Sequence, residues 1–176
     1  MQYINHYRSP LGSITMASNG NAITGLWFDG QKYFPTDLQQ ATAQNLKVFT
    51  ETKRWLDIYF SGTMPDFTPP LYLEGTPFRM EVWKILQKIP YGSTITYGDI
   101  AKILAAQKGS ARISAQAVGG AVGHNPISII IPCHRVISAN GSLTGYAGGI
   151  DKKIKLLQYE GINTSKFSIP QKGTAL

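Results

Sequence analysis

Two kinds of apolar pattern succeed one another along the chain. In the first thirty residues, Gln2–Arg8, Gly12–Ala17 and Ala22–Trp27 are short segments rich in Ile, Thr, Tyr or Leu, and Ser9-Pro10, Asn19-Gly20-Asn21 and Asp29-Gly30 separate them. Strand-forming residues bounded by turn residues predict three β-strands. The spacing then becomes helical over Thr42–Phe60, where Leu46, Phe49, Leu56, Tyr59 and Phe60 share one face and Ser61-Gly62 ends the run. Met64–Gly75 has no period and carries Pro65, Pro69 and Pro70, which predicts a linker between two units.

The second unit reads as helices. Thr76 suits an N-cap and Pro77 the first helical position, with Phe78, Val82, Ile85, Leu86 and Ile89 as the buried face and Pro90-Tyr91-Gly92 as the stop. Thr96 with Asp99 three residues later predicts a capping box and a helix over Tyr97–Ala106. A loop over Gln107–Ile113 leads to a third helix over Ser114–Val122, and the pair suggests a helix-turn-helix with a long turn. That third helix is built almost wholly of small residues, including Gly119 and Gly120. Each glycine weakens a helix by about 1 kcal/mol, a cost that makes sense if its backbone must approach a DNA strand or a neighbouring helix. The last helix is expected over Lys152–Glu160, capped by Asp151 and ended by Gly161, with Asn163–Leu176 as a loose tail.

Composition narrows the classes. The chain has 176 residues and is 43% hydrophobic, enough for a packed core without disulfides. No apolar run approaches the ~18 residues of a membrane span, and the N-terminal segment lacks a charged-then-apolar signal, so the default compartment is the cytoplasm. A single cysteine excludes an intramolecular disulfide and a Cys-rich zinc site. No phosphate-binding or dinucleotide fingerprint calls for a cofactor. Residues 1–75 hold five basic and six acidic residues, whereas residues 76–176 hold twelve basic and four acidic ones, so the net charge of +7 lies wholly in the second part. A one-sided positive field attracts polyanions, of which nucleic acid is the commonest.

The chemistry concentrates at Cys133-His134-Arg135. The apolar run Ile127–Ile131, consistent with a buried strand or extended segment, is broken by Pro132 and delivers these three residues at its end. A thiol beside an imidazole and a guanidinium is expected to have a lowered pKa and to act as a thiolate nucleophile. Neighbouring side chains of an extended chain point to opposite faces, so Cys133 and His134 cooperate only if the chain turns there or a water bridges them. A base working through water needs its other ring nitrogen held by a carboxylate. Glu160, one of four acidic residues beyond position 75, is the candidate. Taken alone, Asn125-Pro126 reads as an ordinary turn, the Gly145–Gly149 stretch as a flexible surface loop, and His6 and His124 as structural.

The segment Ile131-Pro-Cys-His-Arg-Val-Ile137 resembles the signature of the methylated-DNA–protein-cysteine methyltransferases, which repair O6-alkylguanine. The likeness runs from Gly75 to Gly161 and includes Gly75-Thr-Pro-Phe, Val82-Trp, Ile89-Pro-Tyr-Gly, Thr96-Tyr-Gly, Ala117-Val-Gly-Gly, Asn125-Pro, Tyr146-Ala-Gly-Gly and Tyr159-Glu-Gly. It implies an α/β domain resembling ribonuclease H over 1–74, a mainly α-helical, winged-helix-like domain with a helix-turn-helix over 75–162, and a tail over 163–176.

The resemblance also implies roles. Cys133 would accept the alkyl group of O6-methylguanine, and of O4-methylthymine, irreversibly and once per molecule. His134 would be its base through a water, oriented by Glu160, and Asn125 would hold the turns around the cysteine. Tyr97 would press on the target phosphate and donate to the base. The carbonyls of Cys133 and Val136 would accept from the guanine amino group, and the Tyr146–Gly149 loop would cover the pocket, with the Ala147 backbone near O6. The small-residue helix would enter the minor groove of double-stranded DNA, and Arg79, Lys84, Lys102, Lys108, Arg112 and Arg135 would meet phosphates. Gln116 stands where the family often has an arginine that fills the gap left by the flipped base. No metal, cofactor or membrane is implied, and the protein is expected to act as a monomer. The competing readings are a non-enzymatic damage-flagging relative, which carries tryptophan at the place of Cys133, and a cysteine hydrolase, which leaves the basic second part unexplained.

Overall fold

The three predicted strands form close to their expected limits, as β1 (Tyr3–Ser9), β2 (Gly12–Ser18) and β3 (Ile23–Phe28), in a computed structural model that describes residues 1–109 and 112–170. They pair antiparallel, and β2, in the middle, is buried from Ile14 onward. The expected helix over Thr42–Phe60 starts later than its periodicity suggests: α1 spans Lys47–Phe60, and Thr42–Ala43 is instead β4, parallel to β1, giving the order β3-β2-β1-β4. The reason is the otherwise unpaired edge of β1. The Thr42 N–H donates to the Gln2 carbonyl (3.0 Å), the Gln44 N–H to the Ile4 carbonyl (3.3 Å), and Asn5 Nδ2 to the Gln44 carbonyl (3.0 Å). A free strand edge satisfies these groups at least as well as a first helical turn would.

The opposite edge, β3, ties the two parts of the chain together. The Ile23 N–H donates to the Pro70 carbonyl and the Tyr72 N–H to the Ile23 carbonyl, both at 2.8 Å. The proline-broken segment is therefore strapped to the sheet. Further along β3, the Leu26 N–H donates to the Pro126 carbonyl and the Ser128 N–H to the Leu26 carbonyl, both at 2.9 Å, which anchors the segment leading to Cys133.

The second part follows its sequence signals closely. α2 (Pro77–Leu86) is capped by Thr76, whose hydroxyl accepts from the Arg79 N–H. α3 (Tyr97–Lys108) has the reciprocal Thr96–Asp99 capping box and ends at Gly109 with φ 60°, so Gln107 and Lys108 extend the helix beyond the expected Ala106. Residues 110 and 111 of the expected loop lie outside the described residues. α4 (Ala115–Gly123) is capped by Ser114. Trp83 of α2 donates its indole N–H to the Ala121 carbonyl of α4 (2.9 Å), fixing one helix against the other. A short parallel pair, β5 (Ile95–Thr96) and β6 (Val136–Ile137), joins the start of α3 to the chain just past Cys133.

α5 spans Ile150–Tyr159 and begins before its expected start. Gly149, not Asp151, is the N-cap: its φ of 95° suits glycine, and its N–H closes a turn onto the Tyr146 carbonyl (2.9 Å). Asp151 lies in the first turn, where its charge favours the positive helix end. The expected loose tail is partly built in. Ser168 exchanges backbone bonds with Gly141 and Leu143, and Ile162 and Phe167 pack on Ile137, Leu143 and Leu157. Residues 171–176 lie outside the described residues.

A continuous core crosses both parts, running from Ile14, Leu26, Phe49, Leu56 and Tyr59 to Val82, Trp83, Leu86, Ile131 and Leu156. Among the described residues no helix is long and apolar enough to cross a membrane. Trp83→Phe would leave both a void and an unpaired carbonyl on Ala121. We expect it to cost about 2–4 kcal/mol, read as a lower urea midpoint at unchanged slope.

Candidate active site

Asn125 decides the shape of the segment that carries Cys133. Its Nδ2 donates to the carbonyls of Ile127 (3.2 Å) and Ile131 (2.8 Å), while its Oδ1 accepts from the Ile127 N–H (3.0 Å). The expected extended run over Ile127–Ile131 is therefore folded back on itself. Only Ile127 bridges to β3, and Ile129 adopts φ 70°. The Cys133 N–H then donates to the Ile131 carbonyl (2.8 Å), and Cys133–Arg135 form one 3-10 turn. The chain does turn here, yet His134 Nδ1 has no hydrogen-bond partner among the described residues, so the turn alone does not join the thiol to the imidazole.

His134 is completely buried, and so is the Glu160 carboxylate that receives it. Glu160 accepts four hydrogen bonds, two on each oxygen. Oε1 takes the Arg135 Nε–H (2.7 Å) and the Gly92 N–H (3.0 Å). Oε2 takes the Tyr59 hydroxyl (2.8 Å) and His134 Nε2. Burial opposes ionisation of this carboxyl, but the bonds and charges of His134 and Arg135 outweigh it and bring it down to about 2. Since the carboxylate has no proton to give, His134 Nε2 must carry the shared hydrogen. Nδ1 is then left with its lone pair, buried and without a hydrogen-bond partner among the described residues. Burial lowers the His134 pKa below its ordinary value despite Glu160, so the resting imidazole is neutral.

The thiol departs from expectation. Burial pushes Cys133 up, and the Asn125 amide and the Lys153 charge offset this only in part. The guanidinium expected to favour the thiolate is turned inward: Arg135 is buried, with Nε on Glu160 and Nη1 on the Ile89 carbonyl (2.7 Å). This corrects its assignment as a contact to substrate or phosphate. Arg135 instead braces the carboxylate.

Lys153 and Tyr59 are functional neighbours that the sequence reading missed. Lys153 is fully buried on α5, and its Nζ donates to the carbonyls of Val136 (2.5 Å) and Thr144 (2.9 Å). Burial brings it down to about 8, against the opposing pull of Cys133. Its signal was present, because Ile150, Lys153, Leu156 and Leu157 form the buried face of α5 and a lysine on such a face needs a partner. Tyr59 gave no comparable signal; it simply belongs to the apolar face of α1.

A cavity of about 760 Å³ opens between the starts of α3 and α4 and the loop after β6, and Tyr97, Gln116, Gly119, Gly120, Tyr146 and Ala147 line it. Tyr97 donates its hydroxyl to the Thr144 carbonyl (2.9 Å), with the Gly145 carbonyl at 3.2 Å. Tyr146, expected in a flexible surface loop, is a buried wall whose hydroxyl has no partner among the described residues. Gly148 permits this: a Cβ there would lie 2.8 Å from the Tyr146 ring and 3.2 Å from Phe28. The Ala147 carbonyl accepts from the Lys32 N–H (3.0 Å), so the loop after β3 also borders the cavity. The carbonyls of Cys133 and Val136 each already hold one donor, the Val136 N–H and Lys153 Nζ, and each retains a second lone pair. Gln116 and Arg112 are exposed, whereas Lys108 is paired with Glu81 (2.8 Å). Among the described residues no cluster of three His, Cys, Asp or Glu side chains could hold a metal ion.

A family model described as the DNA binding domain of 6-O-methylguanine DNA methyltransferase matches residues 77–162, and one described as its ribonuclease-like domain matches residues 3–73. The methylated-DNA–protein-cysteine methyltransferase of Mycobacterium tuberculosis is 46% identical over 158 residues, covering 88% of this chain and 92% of its own. That of Haemophilus influenzae is 40% identical over 161 residues, covering 91% and 87%. The crystal structure of the M. tuberculosis O6-methylguanine methyltransferase matches with a TM-score of 0.79 at 42% identity, covering 98% of this chain and 97% of that one. The M. tuberculosis protein in complex with DNA gives 0.78 at 42% identity, covering 94% of each. With both halves matched in order and this degree of identity over most of its length, the chain belongs to the methylated-DNA–protein-cysteine methyltransferase family.

Proposed function

We propose that the chain repairs DNA by moving the alkyl group of O6-methylguanine onto its own Cys133, once and irreversibly. The observation that carries this reading is the buried Cys133-His134 turn, with Glu160 holding one imidazole nitrogen and the other left as a free base. The target atom is hidden in the duplex, so the base must rotate out, at a cost of a few kcal/mol. We read α3 and α4 as a helix-turn-helix of a winged-helix-like domain over 75–162, with α4 entering the minor groove and Gln116 occupying the place of the extruded base. Exposed Lys84, Lys102 and Arg112 would meet phosphates. We read residues 1–74 as a ribonuclease H-like domain.

The second lone pairs of the Cys133 and Val136 carbonyls would accept from the guanine amino group, and the Ala147 backbone would lie near O6. Tyr97 would press on the target phosphate and turn its hydroxyl from the loop carbonyls to the base. The thiol proton passes through a water to His134 Nδ1, and Glu160 stabilises the imidazolium. The sulfur attacks the alkyl carbon in line, an S–C bond forms as the C–O6 bond breaks, and the departing guanine takes up a proton. The product is a thioether, which water does not cleave, so each molecule acts once. O4-methylthymine fits the same scheme. The protein is proposed to work as a monomer in the cytoplasm, without metal or cofactor.

Mixed with a duplex containing O6-methylguanine, the protein should gain one methyl group at Cys133 by intact mass and nothing more on longer incubation. Cys133→Ala should bind the duplex and stay unmodified; methylation of that variant would refute the assignment. His134→Gln can still donate to Glu160 but supplies no base, so transfer should slow by about 10²–10⁴-fold with duplex affinity retained. Because burial lowers the His134 pKa below 6.5, its neutral form persists in mild acid. The native rate should therefore hold at pH 6.5 and fall only as the pH drops further, as followed by single-turnover kinetics.

A further inference from the structure

The reaction scheme assigns no chemistry to the first 76 residues, yet one side chain from them enters the buried acceptor network. Tyr59, on α1, is completely buried. Its hydroxyl donates to Glu160 Oε2 (2.8 Å), the same oxygen that receives His134 Nε2, and stands 3.4 Å from that nitrogen. The Leu156 carbonyl lies at 3.3 Å as an alternative acceptor. The ring is held on several sides, stacked on Trp55 (centroids 5.4 Å, interplanar angle 7°) and edge-on to Tyr91 (6.2 Å, 82°). A tyrosine used only for packing would not need to aim its hydroxyl at the one buried carboxylate among the described residues. Burial and the negative charge of Glu160 keep the phenol protonated, so it acts as a permanent donor there.

We infer that Tyr59 is a positioning residue for the alkyl-transfer site: its hydroxyl shares Glu160 Oε2 with His134 and thereby limits how strongly that carboxylate draws on the imidazole. The first part of the chain thus tunes the base from a distance. The inference rests on the proposed role of His134 as that base.

The direction of the effect follows from the donors present. With the hydroxyl removed, Oε2 keeps His134 Nε2 as its one side-chain donor, and the carboxylate stabilises an imidazolium more strongly. Several other ionisable groups surround the pair. Arg135 on the Cys133–Arg135 turn and Lys153 on α5 disfavour the imidazolium. Tyr91, after α2, feels the charges of Glu160 and Arg135. Tyr146, which lines the cavity, feels the charge of Cys133. Removal of the Tyr59 hydroxyl leaves each of these side chains present.

The test is the single-turnover rate of methyl transfer from an O6-methylguanine duplex, measured against pH. Tyr59→Phe keeps the ring and should move the acid limb of the profile to higher pH by about 0.5–1 unit. The rate within the acid limb would then fall several-fold, while the rate above it and the duplex affinity stay as in the native protein. Replacing Tyr59 with 3,5-difluorotyrosine keeps the ring and strengthens the donor, so the limb should move the other way; this variant preserves the test if the phenylalanine variant folds poorly. In a His134→Gln background neither change should alter the profile. A native acid limb unmoved by both variants, even with a lowered melting temperature, would reduce Tyr59 to packing and overturn the inference. If instead His134→Gln transferred as fast as the native protein, the reading of His134 itself would fall.

Discussion

One buried carboxylate organises the centre of this molecule. Glu160, at the end of α5, brings a negative charge into a core that would ordinarily reject it. Four donors make this tolerable: His134, Arg135, Tyr59 and the Gly92 backbone. The donors come from three separate stretches of chain and Glu160 from a fourth, so satisfying the charge fixes α1, the loop after α2, the Cys133–Arg135 turn and α5 against one another. Withdrawing one charged partner from such a buried pair typically costs about 3–5 kcal/mol, which makes this cluster both the clamp of the fold and the support of the proposed base.

The cluster also explains how a reactive sulfur can be kept in reserve. Burial disfavours the thiolate of Cys133, and the Asn125 amide and Lys153 charge only moderate that. The resting pair is therefore a thiol and a neutral imidazole. A nucleophile used once per molecule benefits from this restraint, because a standing thiolate would be open to oxidation and to stray alkylating agents. On the proposed route, the anion is generated when an extruded base fills the cavity and the proton can pass to an imidazole already backed by a carboxylate.

Much of this was legible from local chemistry. Thr76, the Thr96–Asp99 box and Ser114 marked helix starts because capping is a short-range interaction. The pairing of His134 with Glu160 could be anticipated from the small number of acids available. What was hidden depended on distant partners. Thr42–Ala43 became a strand because β1 had an open edge. Ile127–Ile131 looked extended because its apolar run does not reveal that Asn125 would bend it. The charge of Arg135 suggested a lowered thiol pKa, but the guanidinium serves Glu160 instead, and burial prevails at the sulfur. Tyr59 was indistinguishable from a core aromatic because its polar contact lies 101 residues away in sequence.

The protonation state of His134 is the most direct test of this arrangement, and nitrogen-15 NMR of the histidine-labelled protein at pH 7 reads it without any substrate. A neutral ring, protonated at Nε2 and bare at Nδ1, is the expected spectrum. An imidazolium at that pH, or a proton resident on Nδ1, would mean that the nitrogen assigned to receive the thiol proton is already occupied, contradicting the proposed route.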